Sequence, residues 1–177
     1  MDPFSFRLKN IDDSIIGTDS FPDALGFLVI FMCNHCPYVI GSEDRIISLH
    51  HRYAPQGYPV IGINSNDPIQ YPDDSFENMK IKASQKGFPF KYLFDETQEV
   101  ARRYGAERTP QVFVLQKGDQ SELKLIYSGA IDDNPKFSSE VKQKFLEPLM
   151  EALLENRVLP FSSQPALGCT VKWKKIS

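Results

Sequence analysis

Cysteine is scarce in this chain. Cys33, Cys36 and Cys169 are its only three in 177 residues, too few for a disulfide scaffold and an odd number that leaves one over. Stability must therefore come from a packed core, which the length allows, and the cysteines are free for chemistry. Nowhere do apolar residues run on for the roughly 18 positions that a membrane-spanning helix needs, and the first residues lack a basic segment followed by an apolar one. The expectation is a soluble, cytoplasmic protein, with the proviso that an export signal or anchor trimmed from the start would change it. There is no excess of positive charge either. The formal net charge is -3, with acidic and basic residues interleaved, so no basic stripe marks nucleic acid as a partner. Internal repeats and low-complexity segments are missing as well.

What is present reads as alternating strands and helices. "FSFRLKNIDDSIIGTDSF" alternates apolar and polar residues around Asn10 to Asp13 and predicts an N-terminal β-hairpin. "FLVIFM", Phe27 to Met32, has the length and β-favouring content of a central strand buried on both faces. From Pro37 to about Tyr53, apolar Val39, Ile46, Leu49 and Tyr53 recur at helical spacing opposite a polar patch of Ser42 to Arg45, with Gly41 as a weak point. "YPVIGINSN" repeats the strand pattern, and a helix opens near Ser75 in "DDSFENMKIKASQKG". "KYLFD" predicts a short strand, "ETQEVARRYGA" a helix ended by Gly105, and "QVFVLQKGDQSELKLIYSGA" two strands around Gly118-Asp119. A last helix is expected from about Ser138 to Asn156, bent at Pro148. This order predicts an α/β fold with a central mixed sheet flanked by helices. We expect one domain over residues 1–160, with 161–177 packing on it as a tail.

The chemistry centres on "FMCNHCPYV". A strand ending in Cys-x-x-Cys and passing into a helix places Cys33 at the helix N-terminus, where free amides and the helix dipole favour a thiolate. Cys36, three residues on, lies close enough to form a disulfide with it. Cys33 is then the nucleophile and Cys36 the resolving thiol of a thiol-disulfide exchange couple, and Asn34 and His35 between them tune its potential. Pro37 suits a first helical turn. Two other readings compete. A structural zinc site would draw on Cys169, His35, His50 or His51, but no second Cys-x-x-Cys supplies the remaining ligands; two inert core thiols are the other. The strand-to-helix placement favours the reactive pair, and no metal or cofactor is expected. His50 and His51 read as helix residues, one of them facing solvent. Further along, "ERTPQVFVL" sets Thr109-Pro110 directly before a strongly apolar strand. A cis bond or a plain trans proline opening a strand both fit that spacing.

Together, Cys33-Asn34-His35-Cys36 after one strand and Thr109-Pro110 before another resemble the thioredoxin fold. The resemblance implies a cis Thr109-Pro110 bond packed beside the cysteines, and a Thr109 main chain that pairs with an extended substrate. The extra strand-helix unit before Thr109 is similar to the peroxiredoxin-like and TlpA-like branch. More narrowly, "CNHCPYV", "INSNDPIQYPDDSFENM", "GFPFKYLFDETQEVARRYGA", "GAIDD" and "PALGCTVKW" resemble bacterial peroxiredoxin-like proteins of the AhpC/TSA type. Two departures stand out. Arg108 occupies a position where a cysteine is often found; its charge would lower the Cys33 pKa or attract an acidic substrate, and an exposed arginine with no role at the site is the other reading. "FLVIFM" also lacks the buried acid that serves the resolving thiol in thioredoxins, which leaves His35, Asp95 or solvent for that role.

The expected function is a thiol-disulfide oxidoreductase acting on protein disulfides or small thiols, recharged by a dithiol electron donor. A thiol peroxidase using Cys33 is the alternative within the enzyme class. Against it, the peroxiredoxin pattern Pro-x-x-x-Thr-x-x-Cys would need proline and threonine where Gly26 and Ile30 stand. A non-catalytic binding module with a structural disulfide is the third reading. Cys169 is a possible additional thiol, able to lie buried or to reach Cys33 or a partner, and Trp173 is either a docking anchor for the tail or an aromatic cover.

Overall fold

The computed structural model describes residues 2–176. Its main sheet has seven strands: β1 (Arg7–Asn10), β2 (Ile15–Gly17), β3 (Gly26–Phe31), β4 (Val60–Asn64), β5 (Lys91–Phe94), β7 (Gln111–Lys117) and β8 (Leu123–Gly129), in the order β2-β1-β5-β4-β3-β7-β8. Two short strands, β6 (Arg108–Thr109) and β9 (Cys169–Thr170), pair separately. Five helices complete the fold: α1 (Pro37–Ile40), α2 (Glu43–Tyr53), α3 (Phe76–Lys86), α4 (Glu99–Tyr104) and α5 (Leu146–Leu154). The sheet is mixed, because β4 runs parallel to β3 and β5 while β1 and β7 run antiparallel to their neighbours.

Strand periodicity builds the two halves of the core. Successive side chains of a strand point to opposite faces. Leu28, Ile30 and Met32 therefore pack on one face with Ile46 and Leu49 of α2, Met79 of α3 and Leu149 of α5. Phe27, Val29 and Phe31 pack on the other with Val100 and Tyr104 of α4. This is why "FLVIFM" is apolar at every position, with no residue of β3 left on a solvent face. The expected hairpin is β1-β2, with Leu8 opposite Ile16. It extends the sheet beyond β5, which with α4 forms the inserted strand-helix unit.

Three expectations need correction. The long first helix is two helices, interrupted at Gly41 and Ser42. Gly41 packs so closely on the 135–136 segment that an added Cβ would collide with the Lys136 carbonyl oxygen, and the Ser42 hydroxyl lies 2.8 Å from the carbonyls of both Tyr38 and Pro135. Within the polar patch Asp44 alone is exposed. Ser42 and Glu43 are buried, with Glu43 paired to Lys82, and Arg45 spans Asp132 and the Pro135 carbonyl. The last helix begins at Leu146, not near Ser138. Residues 138–140 make a single 3-10 turn, and an isolated bridge from Lys144 to Asp132 keeps the following stretch extended. Pro148 falls in the first turn of α5, where an amide has no helical partner to lose, so it opens the helix and does not bend it.

Gly41 tests the packing argument, because propensity and sterics oppose each other there. Alanine would favour the helical backbone by about 1 kcal/mol, whereas overpacking against backbone costs about 1–3 kcal/mol. Gly41→Ala is expected to lower unfolding stability by about 1 kcal/mol, read as a lower urea midpoint at unchanged slope. A stabilised variant would contradict the close approach.

Candidate active site

The parallel pairing of β3 and β4 brings their C-terminal ends side by side, the usual place for a site in an open α/β sheet. From β3 the chain leads through Met32 to Cys33, and Cys36 caps the N-terminus of α1 with Pro37 as the first helical residue. From β4 it leads through Asn64, Ser65 and Asn66 into a 3-10 turn, Pro72–Asp74. The Thr109-Pro110 bond, between β6 and β7, is cis. Thr109 faces both sulfurs: its hydroxyl lies 3.7 Å from Cys33 Sγ and its carbonyl oxygen 3.7 Å from Cys36 Sγ.

The third cysteine reaches this point from the far end of the chain. β9 pairs antiparallel with β6, setting Cys169 opposite Thr109 and Thr170 opposite Arg108. Gly168 sits against the Thr109 carbonyl so closely that a side chain there would collide with it. Cys169 is joined to Cys36 in a disulfide, with Cα atoms 6.5 Å apart, and Cys33 is a free, buried thiol. The three cysteines therefore meet, but the pair joined in this structure is not the Cys-x-x-Cys pair. Backbone bonds fasten the tail beyond Cys169. The Val171 amide donates to the Glu107 carbonyl, and Lys172 bonds through its amide to Asn66 Oδ1 and through its carbonyl to the amide of Asp67 and the side chain of Gln98. Val171 is the buried residue of this segment; Trp173 stays exposed, with Arg102 over its ring at 5.2 Å.

Asp74 is the acid at the centre of the site. It is fully buried. Its Oδ1 accepts the Asn34 amide at 2.8 Å, and its Oδ2 accepts from Asn66 Nδ2 at 2.8 Å and lies 2.7 Å from His35 Nδ1. Asn34 is wired further, accepting from the hydroxyl of buried Tyr92 at 2.7 Å and donating to the Asp73 carbonyl at 3.0 Å. His35 remains about one-third exposed and stacks on Tyr71. Asp95, by contrast, is committed elsewhere: its carboxylate accepts from Ser65 and from the amides of Val100 and Ala101, capping α4.

These surroundings reverse the expected acidity of Cys33. Burial, and then the negative charge of Asp74, push its pKa up to about 11. The amides of Cys36 and His35 and the Thr109 hydroxyl pull it down but are outweighed. The helix-terminus argument thus holds for the direction of its own contribution and loses first to burial and then to a carboxylate that the strand pattern does not reveal. Arg108 does not act on Cys33 in the way considered; it is exposed and donates to the Gly168 carbonyl at 3.1 Å, holding the tail.

The donor atoms of Cys33, His35 and Asp74 lie within 4.8 Å of one another, the one such group with metal-ligand character among the described residues. At 2.7 Å, however, His35 Nδ1 and Asp74 Oδ2 are at hydrogen-bond distance. Two zinc ligands at about 2.0–2.1 Å in tetrahedral array stand roughly 3.3 Å apart, so the two atoms are too close for a ligand pair, and His35 Nδ1 makes no hydrogen bond to the carboxylate despite the short distance. His50 and His51 are away from the site: the first accepts the Val60 amide through Nδ1, and the second faces solvent.

Fold and site together define a thioredoxin-fold protein with a cysteine redox centre. The sequence profile of the AhpC/TSA family matches residues 3–120, and the chain belongs to that family. Its likeness to an uncharacterized conserved protein from Geobacillus kaustophilus covers 100% of this chain and 93% of that one, at 37% identity and a TM-score of 0.88. A hypothetical protein from Sinorhizobium meliloti 1021 is 30% identical over 98% of this chain and 93% of its own, with a TM-score of 0.87. A thiol:disulfide interchange protein of the thioredoxin family from Chlorobium tepidum TLS shares the fold at 16% identity, over 70% of this chain and 82% of that chain, with a TM-score of 0.55. No curated protein matches the chain significantly.

Two outcomes follow for Cys33 in the protein with Cys36 and Cys169 joined. Its alkylation rate should rise about tenfold per pH unit without levelling off at the ordinary thiol value of 9.0. Asp74→Asn, which keeps the shape and removes the charge, should lower the pKa and raise the rate at fixed pH by about tenfold or more. A plateau below pH 9.0, or no change in Asp74→Asn, would contradict the role given to the carboxylate.

Proposed function

We propose that the protein is a thiol-disulfide oxidoreductase that exchanges disulfides with protein or small thiol substrates, with Cys33 as nucleophile and Cys36 as resolving thiol. The observation that carries this reading is the convergence of three cysteines on Thr109: two sulfurs lie 3.7 Å from its side-chain and main-chain oxygens, and the third cysteine is its strand partner. An inert pair would not need a third cysteine from more than 130 residues away.

The chemistry begins when Cys33 loses its proton and attacks one sulfur of a substrate disulfide, forming a mixed disulfide and releasing a thiolate. Cys36 thiolate then attacks the Cys33 sulfur and releases the reduced substrate. His35 and Asp74, 2.7 Å apart, set the partly exposed imidazole against the buried carboxylate beside Cys33. The charge of Asp74 acts on the sulfur without touching substrate, and His35 packs against that carboxylate, which makes both positioning residues. Asn34 holds Asp74 through its amide and ties the loop to Tyr92. The second substrate of each cycle is an external dithiol, which suits a cytoplasmic setting.

The peroxidase reading, which the family leaves open, receives less support from the pocket. Gly26 and Ile30 are buried in β3 where the proline and threonine of a peroxide site would stand, and neither supplies a hydroxyl to Cys33. Among the described residues, the hydroxyl at that sulfur is that of Thr109.

Dithiol-dependent reduction of insulin separates the readings. Cys33→Ser and Cys36→Ser should each lower turnover by about 100-fold or more, since serine does not exchange with disulfides at neutral pH. Hydrogen peroxide consumption that survives Cys36→Ser and disappears with Cys33→Ser would overturn the proposal in favour of a peroxidase.

A further inference from the structure

We infer that Cys169 is a third exchanging thiol, that its strand is the protein's own occupant of the substrate position, and that it is the sulfur through which reducing electrons enter. The inference rests on the oxidoreductase reading and deepens it. β9 pairs with β6 through the main chain of Arg108 and Thr109, the edge along which an extended substrate would add as a strand. The segment also carries a cysteine at the register position that faces the reactive pair, already in disulfide linkage to Cys36. Gly168 supplies the closeness that pairing needs, because any side chain there would meet the Thr109 carbonyl. In geometry and in chemistry, Gly168-Cys169-Thr170 is a bound substrate that belongs to the same chain.

Accessibility gives the pairing a direction. Cys33 and Cys36 are 2% and 1% exposed, whereas Cys169 is only partly buried. With β9 docked, an outside disulfide cannot reach Cys33, and an outside dithiol meets the Cys169 sulfur first. Recharging starts when one thiolate of the dithiol attacks Cys169 Sγ. An S–S bond forms between them, the Cys36–Cys169 bond breaks, and Cys36 leaves as thiolate and takes up a proton. The second thiol of the dithiol then attacks its own mixed sulfur, leaving as a disulfide and releasing Cys169 as a thiol. The reductant has lost two electrons and the protein has gained them.

The tail, freed of its covalent bond, gives way to substrate, and the exchange described above ends with a Cys33–Cys36 disulfide. Cys169 thiolate then attacks Cys36 Sγ. The Cys36–Cys169 bond forms, the Cys33–Cys36 bond breaks, and Cys33 leaves as thiolate and is protonated, with no net oxidation in this step. The closed arrangement of the structure is restored. The high pKa of Cys33 in that arrangement keeps it protonated and opposes the reverse attack.

Time-resolved disulfide mapping tests the scheme. The full chain, fully reduced, is mixed with a disulfide-linked peptide pair, quenched with acid at intervals, alkylated and digested. In the wild type the Cys33–Cys36 link should appear first and be replaced by Cys36–Cys169. Cys169→Ser should stop at Cys33–Cys36, and its re-reduction by dithiothreitol should be about tenfold slower than that of the oxidised wild type. Gly168→Val, which retains every cysteine, should slow the second link by about tenfold without blocking the first. A wild type that retains only Cys33–Cys36, or a Cys33→Ser variant that forms Cys36–Cys169 from the peptide disulfide at the wild-type rate, would overturn the inference. A parallel arm replaces the peptide with diamide, which takes two hydrogens from a thiol pair. Failure to reduce the peptide, with Cys33–Cys36 forming first under diamide and then giving way to Cys36–Cys169, would reject the oxidoreductase reading and keep the exchange. Peptide reduction without that link in either arm would reject the exchange alone.

Discussion

Thr109 carries contacts that the rest of the site depends on. Its side chain faces one sulfur, its carbonyl oxygen faces another, and its backbone holds the strand that bears the third. That geometry is possible because β6 is not part of the large sheet. It precedes the cis bond to Pro110, after which the chain enters β7 in the middle of the core. A two-residue strand has too few hydrogen bonds of its own to hold a partner firmly, so β9 is held by the disulfide and by the bonds from Val171 and Lys172 beyond it. The same weakness makes the edge exchangeable. An occupant fixed at one end by a disulfide can be released by thiol exchange without unfolding the domain.

Electrostatics set the resting state. Asp74 is drawn into the interior by the Asn34 amide and the Asn66 side chain, and its charge faces Cys33. A buried carboxylate beside a buried thiol disfavours the thiolate twice, by desolvation and by repulsion. The partly exposed His35, in contact with Asp74, links that interior charge to solvent. The acidity of Cys33 is therefore set by its burial and by the Asp74 charge, not by the helix terminus alone.

Much of this was legible in the residues. The burial of β3 on both faces follows from an apolar run too short for a helix and rich in β-branched and aromatic side chains, and the motifs at Cys33 and Thr109-Pro110 led to the thioredoxin fold and the AhpC/TSA family. Asn34 and His35 do lie at the site. Asp74 was missed because "YPDDS" reads locally as a turn and helix cap, and Ser75 does cap α3 through the Asn78 amide. A usable signal was topological: a polar cluster, Asn64 to Asn66, directly after a buried strand parallel to the one that ends in the cysteines. The break at Gly41 and the late start of α5 depend on contacts with residues about 95 positions along the chain or on a non-local bridge, which helical spacing does not encode. The pairing of Cys169 with Cys36 is likewise tertiary. Its tail has no periodicity, and its place is fixed by backbone bonds to β6 and to the loop after β4.

The most direct measurement is a structure of the Cys36→Ser variant holding a short cysteine-containing peptide as a mixed disulfide on Cys33. Removal of the resolving sulfur leaves that intermediate with no exit through Cys36. The peptide should run antiparallel to Arg108–Thr109, with its cysteine beside Thr109 and with Gly168 to Thr170 displaced from that edge. A peptide bound elsewhere, with Cys169 still opposite Thr109, would contradict the claim that the tail occupies the substrate position.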